Sequence, residues 1–378
     1  MARIVFISTF PPEPLMSGFA MRIFGILDSI PDGFELLKIY PEGMQDGKFP
    51  PDVTFAPGAV SRMREFFSLT PRTLLKYNDS PDRSRIIKAV EQFNPDLVIV
   101  SGIHVFPFVP SGARVLYDSH NIEWHLGMLL YKHQRASVLV KIHRHITYMK
   151  LRRRELQLVR SAEGVVACSK TDADYFSSVR EEHVAFVPNG VDTDYWDIPR
   201  EPQPGVILFS GDMSYFPNIN SVHFITQEIL PLLKSYGWTG KLIVCGKNPS
   251  QSIRSLESDS VMITGTVDDL RKYYSRAEVF IAPMRIGSGT PLKVITAMAA
   301  GVPVVTTSRI AESLGILDTG IVLQADQLEE AARSLLKVMN DRALADQCSR
   351  AGKSLACEKF SWSVAGGSFW KQVKKFIR

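Results

Sequence analysis

Ile281-Ala-Pro-Met-Arg-Ile-Gly-Ser-Gly-Thr-Pro-Leu-Lys-Val-Ile-Thr-Ala-Met-Ala-Ala-Gly-Val-Pro-Val-Val-Thr306 reads as strand, glycine loop, helix and strand in direct succession. Val279 to Ala282 closes an apolar strand, and Gly287-Ser288-Gly289 lets the backbone turn tightly. Thr290-Pro291 opens a helix with proline in its first turn, where no N–H is lost. Gly301-Val-Pro ends that helix and leads into a second buried strand, Val304 to Thr306. A helix start fronted by small residues gathers unpaired N–H groups and partial positive charge, and Arg285 and Lys293 are expected to flank it with full charges. That layout suits a diphosphate, although the same pattern also serves as a plain strand-to-helix turn with two solvated cations.

Outward from this segment, apolar runs alternate with helical periods as in parallel βαβ units. Candidate strands in the first half are Ile4–Ser8, Leu36–Ile39, Leu97–Val100, Val115–Tyr117, Gly164–Ala167 and Ala185–Val187; Pro41 to Pro57 reads as a polar loop. In the second half they are Val206–Phe209, Lys241–Val244, Val261–Thr264, Val279–Ala282 and Val304–Thr306. A chain of 378 residues exceeds what one core usually holds, so two α/β domains are expected. Trp196 to Gly205, with three prolines and a glycine, reads as a stiff hinge between residues 1–198 and 205–359. The segment 360–378 reads as a last helix whose apolar face, Val364, Phe369, Val373 and Phe376, must pack on something.

Composition narrows the setting. Hydrophobic residues make up 45% and charged ones 22%, ordinary for a globular protein, and no apolar run approaches the roughly 20 residues that span a bilayer. Arg3-Ile-Val-Phe-Ile-Ser enters a strand directly, so no signal peptide is expected. Cys168, Cys245, Cys348 and Cys357 lie far apart without metal spacing, which predicts reduced thiols in a cytoplasmic protein. Asp172-Ala-Asp174 and Asp192-Thr-Asp194 are read as a helix cap and a turn, and no metal or other cofactor is expected.

The net charge of +5 is unevenly placed. Lys132 to Arg160 holds Lys132, Arg135, Lys141, Arg144, Lys150, Arg152, Arg153, Arg154 and Arg160 with His133, His143 and His145, against Glu155 alone. Val138, Ile142, Ile146, Met149 and Leu156 recur among them at helical spacing, which predicts one or two basic amphipathic helices. Such a surface is a solvated face, a dock for an anionic membrane, or a polyanion site for nucleic acid; no nucleic-acid motif accompanies it.

Several of these segments together carry a resemblance. Gly-x-Gly-Thr-x-Leu-Lys-x-x-x-Ala-Met-Ala-x-Gly-x-Pro-Val-Val from Gly287 is similar to the nucleotide-sugar loop of retaining glycosyltransferases of family 4, in the branch of bacterial exopolysaccharide sugar transferases. Phe10-Pro-Pro-x5-Gly18-x3-Arg22, Tyr117-Asp-Ser-His-Asn-Ile-Glu123, Ala167-Cys-Ser-Lys-Thr-Asp172, Val187-Pro-Asn-Gly-Val-Asp192 and Phe209-Ser-Gly-Asp-Met-Ser-Tyr-Phe-Pro-Asn218 resemble further family segments in the family's order. The resemblance implies the GT-B architecture, two Rossmann-like domains facing across a cleft, with the C-terminal helix returning to the first. It implies transfer of a sugar from a nucleoside diphosphate sugar, with retention, to a saccharide or lipid-linked acceptor.

Residue by residue, the resemblance makes His120, Arg285 and Lys293 catalytic, with His120 donating a hydrogen bond to a sugar hydroxyl. Gly18, Gly211, Gly287, Ser288, Gly289, Thr290 and Thr296 would bind the donor, and Glu123 would orient His120 or touch the acceptor. The chain also departs from the family. Ser17 replaces the first of two glycines, and Ser288 and Thr296 stand where two glutamates are usual. Gly211-Asp-Met-Ser lacks the arginine and lysine that often hold the diphosphate, leaving Lys247 as a weaker candidate. Two other readings stay open: a nucleotide-sugar epimerase, which shares the fold, and, permitted by the missing glutamate, a catalytically silent protein that binds a glycan or polyanion.

Overall fold

The computed structural model describes residues 1–14, 17–43, 47–132, 137–287, 289–319 and 321–377. The chain divides into two compact units, Met1–Asn189 with Trp362–Arg378, and Gly190–Ser361. Each is a parallel sheet covered by helices on both faces, as near-continuous runs of Val, Ile and Leu in the strands dictate.

In the first unit the sheet comprises β1 (Ala2–Ser8), β2 (Phe34–Pro41), β3 (Val53–Phe55), β4 (Leu97–Ser101), β5 (Val115–Ser119), β6 (Gly164–Ala167) and β7 (Val184–Phe186), in the order β3-β2-β1-β4-β5-β6-β7. β3 corrects the reading of Pro41 to Pro57 as loop throughout: Val53 pairs with Ile39, and Phe55 is buried between helices and sheet. Helix α1 (Gly18–Asp28) follows β1, with Ser17 as its cap accepting from the Ala20 N–H at 3.1 Å. Helix α2 (Glu123–Lys132) follows β5, and α3 (Val138–Ser161) runs back beside it. The two pack so closely that a Cβ on Gly127 would lie 2.1 Å from the Tyr148 ring. The C-terminal helix Trp362–Lys374 lies on α1, where Trp370 Nε1 donates to the Ile26 carbonyl at 2.7 Å. Phe369, Val373 and Phe376 join the core of this unit, whereas Val364 of the expected apolar face is 39% exposed.

The second unit contains β8 (Val206–Ser210), β9 (Lys241–Cys245), β10 (Val261–Gly265), β11 (Val279–Ala282), β12 (Val304–Thr306) and β13 (Leu323–Gln324), in the order β10-β9-β8-β11-β12-β13. The proline-rich segment expected as a hinge belongs to this unit. Trp196 and Ile198 pack on its core, Trp196 stacks edge-on against Tyr274 at 4.9 Å, and Arg200 donates to the Tyr274 and Ala277 carbonyls. The units therefore join at Asn189–Gly190, before the prolines. Helix α4 (Phe216–Phe224) follows β8 and α5 (Leu292–Ala299) follows the glycine loop. Pro291 is the residue before α5, one position earlier than expected.

All four cysteines are free, with Cys357 exposed and the other three buried. Among the described residues no helix is long and apolar enough to cross a membrane.

Candidate functional site

At the carboxyl ends of β8 and β11, where open parallel sheets bind ligands, the second unit gathers a lysine and the start of α5. Gly246 after β9 lets the strand ends approach: a Cβ there would fall 1.7 Å from the Gly211 carbonyl oxygen. Gly211 in turn clears space for Lys293, since its Cβ would lie 2.8 Å from the Lys293 Nζ and 2.6 Å from the Asn218 Nδ2. Asn218 Nδ2 donates to the Asp212 carbonyl at 2.8 Å, which turns Asn218 Oδ1 toward the Lys293 ammonium that donates to it. Beneath lies the Phe209 ring, its centroid 4.3 Å from Nζ.

Lys293 has no carboxylate partner among the described residues. Burial lowers it to about 7, far below an ordinary lysine. Such a group gains by acquiring an anion. In α4 Pro217 has no N–H and the Asn218 N–H donates to the Tyr215 carbonyl at 2.9 Å, so the helix start that faces a ligand is that of α5, which no side chain caps among the described residues. Its cap residue is Pro291, which has no side-chain acceptor.

Arg285 does not join this group. Its guanidinium lies over the Phe224 ring at 3.6 Å, at the end of α4, whereas Lys293 meets Asn218 near its start. Six residues of helix separate those contacts, roughly 9 Å along the axis. The expected pair of flanking cations is therefore divided, because the Phe224 ring captures the arginine. Arg309, which sequence reading missed, holds the loop itself by donating to the Arg285 carbonyl at 3.0 Å and to the Gly287 carbonyl. Gly287 and Gly289 both have positive φ, 136° and 75°, so the turn requires them. Ser288 lies outside the described residues. Thr290 and Thr296 are half-buried, Thr296 one turn beyond Lys293 on α5. Lys247 is engaged by Asp212 at 3.6 Å.

The first unit builds a different cluster at the carboxyl ends of β4 and β5. Arg22 of α1 is fully buried. Its Nε and Nη2 donate to Asp118 Oδ1 at 3.0 and 2.7 Å, and Nη1 donates to the Val187 carbonyl and to Asn189 Oδ1. Burial alone would raise Asp118, but the guanidinium and its hydrogen bonds hold it below the ordinary carboxylate value. Asp118 Oδ2 accepts from Ser101 Oγ at 2.9 Å, and the same Oγ lies 2.8 Å from His120 Nε2.

This chain of contacts fixes the state of His120. Burial lowers it to about 4, so the ring is neutral near pH 7. The single Ser101 proton goes to the carboxylate, so Nε2 must carry the imidazole hydrogen and donate to Ser101 Oγ. Nδ1 is left with a lone pair. The expectation that His120 donates to a ligand is thereby corrected: its free nitrogen accepts. The Phe19 ring packs edge-on against the imidazole at 5.0 Å and itself stacks on Phe10 at 4.6 Å, while Cys168 Sγ donates to the His120 carbonyl. Gly18, expected to approach a ligand, is the first residue of α1 and exposed.

Glu123 opens α2 and its backbone N–H is held by Glu155 Oε1 at 3.2 Å. Glu155 is not the lone acid on a basic surface, as the sequence suggested: it is fully buried and also accepts from the Tyr117 hydroxyl at 2.9 Å. Burial, then Glu123, raises it to about 8. Asp172 likewise is not a cap. Ser169 caps that helix by accepting from the Asp172 N–H, and Asp172 is buried.

Residues 204–341 match the family model described as Glycosyl transferases group 1, and residues 45–195 the model described as Glycosyltransferase Family 4. Over 117 residues the chain is 29% identical to an exopolysaccharide phosphotransferase of Streptomyces coelicolor; the match covers 29% of this chain and 12% of that much longer protein. Sucrose-phosphate synthase of Thermosynechococcus elongatus shares 16% identity and superimposes with a TM-score of 0.69 over 99% of this chain and 100% of its own. Anabaena HepE, solved in complex with UDP, gives 14%, 0.67, 99% and 100%. A Listeria monocytogenes protein provisionally named UDP-N-acetylglucosamine 2-epimerase gives 11%, 0.57, 99% and 96%. At these identities the likeness shows the fold, which is the GT-B type, and the chain carries two glycosyltransferase-type domains.

Proposed function

We propose that the chain is a retaining glycosyltransferase of the cytoplasm that takes its sugar from a nucleoside diphosphate donor, in the exopolysaccharide branch of family 4. The observation that carries this reading is Lys293, an ammonium without a carboxylate partner among the described residues, at the start of α5. Departure of a nucleoside diphosphate develops negative charge on phosphate oxygens. A prearranged cation and helix N–H groups stabilise that charge without having to reorganise. Lys293 and the loop from Gly287 to Thr290 would hold the diphosphate, and Thr296, one helical turn on, would meet the ribose with a neutral hydroxyl. Arg285 reaches the phosphates only by leaving the Phe224 ring. Anabaena HepE, of the same fold, was solved with UDP-glucose, which supports a donor of this class.

In the first unit His120 would accept a hydrogen bond from a sugar hydroxyl through Nδ1, held in place by Ser101 and Asp118. Glu123 would face the saccharide or lipid-linked acceptor from the start of α2. No side chain is assigned as nucleophile; stabilisation of the leaving diphosphate is the principal chemical task.

The test is release of nucleoside diphosphate from a panel of UDP-, GDP-, ADP- and dTDP-sugars, with and without a saccharide mixture. Release that needs an acceptor and falls in Lys293→Met supports the transferase. An altered sugar formed without an acceptor establishes the epimerase reading, which the Listeria likeness keeps within the fold. Binding of a glycan with no release from any donor establishes the silent binder.

A further inference from the structure

Helix α3 has two apolar faces. Residues rotate by about 100° each along an α-helix, so Leu151, Glu155 and Leu158 share one side, and that side is buried in the first unit. Leu139, Ile142, Ile146 and Met149 fall within about 80° of each other on the opposite side. These four residues are 79%, 52%, 47% and 39% exposed, and Leu69, 74% exposed, stands beside Ile146 and Met149 across a shallow groove. A row of exposed leucine, isoleucine and methionine on one helix is unlike the scattered apolar residues of an ordinary surface.

The charges around the stripe are of one sign. Lys150 and Arg153 line the same groove, and Lys141 is exposed nearer the helix start; none of the three has a carboxylate partner among the described residues. The one acid of the helix, Glu155, is buried on the far side, and Glu65, close to His143, is buried and engaged by Arg72 and His143. His133 and Arg135 of the basic stretch lie outside the described residues. The apolar stripe alone could seat a second copy of the chain. Its charges argue against that, because pairing stripe on stripe would bring the same cations together with no acid to meet them.

We infer that the outward face of α3, from Leu139 to Arg153, docks on an anionic lipid surface. Apolar side chains that enter the acyl boundary, flanked by cations that meet lipid phosphates, are the arrangement an interfacial helix requires. Of the three consecutive arginines Arg152, Arg153 and Arg154, the first and third are otherwise engaged. Arg152 lies over the Trp124 ring at 5.1 Å, and Arg154 donates to Gln157 and Thr70.

Sedimentation with phosphatidylglycerol–phosphatidylcholine vesicles and with pure phosphatidylcholine vesicles tests the inference on the full chain. The expected result is binding to the anionic vesicles alone. Lys150→Gln with Arg153→Gln should weaken it about thirtyfold, since each cation at such a surface contributes roughly fivefold. Ile142→Ser with Ile146→Ser should weaken it as well with every charge retained, and should leave the melting temperature unchanged because both residues are exposed. Loss only in the charge variant would show simple electrostatic adsorption and overturn the stripe's role. A wild-type dimer dissolved by the serine variant would place a second copy on the stripe, and preference for duplex DNA with steep salt dependence would place nucleic acid there. Either result, or binding to neither vesicle, overturns the inference.

Discussion

If the Lys293 ammonium receives the diphosphate, affinity must fall with pH in a window set by its own titration. Unliganded, Lys293 titrates at about 7 because burial disfavours its charge. In the complex, phosphate oxygens restore it to its ordinary range. The apparent dissociation constant then scales as one plus the ratio of neutral to charged lysine, a factor of about 2 at pH 7 and about 100 at pH 9. Affinity should weaken about fiftyfold between them, ~2.3 kcal/mol, above the range in which phosphate itself titrates. At pH 8 binding should take up about 0.9 proton, read by calorimetry in buffers of different ionisation enthalpy. The unliganded protein shows the complementary effect. Its lysine binds fewer protons folded than unfolded between about pH 7 and the ordinary lysine value of 10.5, so stability rises with pH across that window. Lys293→Met should abolish both dependences and most of the affinity. Flat affinity from pH 7 to 9 with no proton uptake would show that the phosphate charge is met by another group.

Nitrogen NMR of the histidines should find His120 neutral and protonated at Nε2 at pH 7, and Ser101→Ala should lose that single-tautomer signature; protonation at Nδ1 in the wild type would refute the hydrogen-bond assignment. Arg22→Met strands Asp118 in the core and should cost about 3–5 kcal/mol in urea unfolding, partly recovered by adding Asp118→Asn. An unfolding midpoint unmoved by Arg22→Met would refute the buried pair's importance. Thr296→Glu should tighten nucleoside diphosphate binding roughly tenfold through a charge-assisted hydrogen bond, measured by the shift in melting temperature with ligand. Weaker binding would mean the pocket is built around threonine.

The parallel sheets were legible because their strands are continuous apolar runs. β3 was not: Val53–Phe55 is too short for any period and is defined by pairing with a strand fourteen residues earlier. Prolines at 199, 202 and 204 read as a hinge because sequence shows their stiffness and not the Trp196 ring that anchors them to Tyr274. In the candidate site the glycines and Lys293 stood out, since a turn and a cation beside a helix start are local matters. Arg22 did not. Its meaning lies in Asp118, ninety-six residues away, and a lone arginine ordinarily signals solvent. The division of Arg285 from Lys293 was hidden for the same reason, because the ring that draws Arg285 aside, Phe224, comes from another helix.

The helix Trp362–Lys374 covers Ile4, Phe6, Leu97, Ile99 and Leu116 on one face of the first sheet, yet it is translated after the whole of the second unit. At ribosomal rates of 5–20 residues per second, the residues between Asn189 and Trp362 take roughly 10–30 s to synthesise. Through that interval the first unit has its seven strands but lacks the tryptophan that seals them. The second unit, contiguous in sequence, meets no such delay. The order of completion in the cell is thus the reverse of the order of synthesis: the half made first is finished last, and a chain cut short anywhere before Trp362 leaves it open.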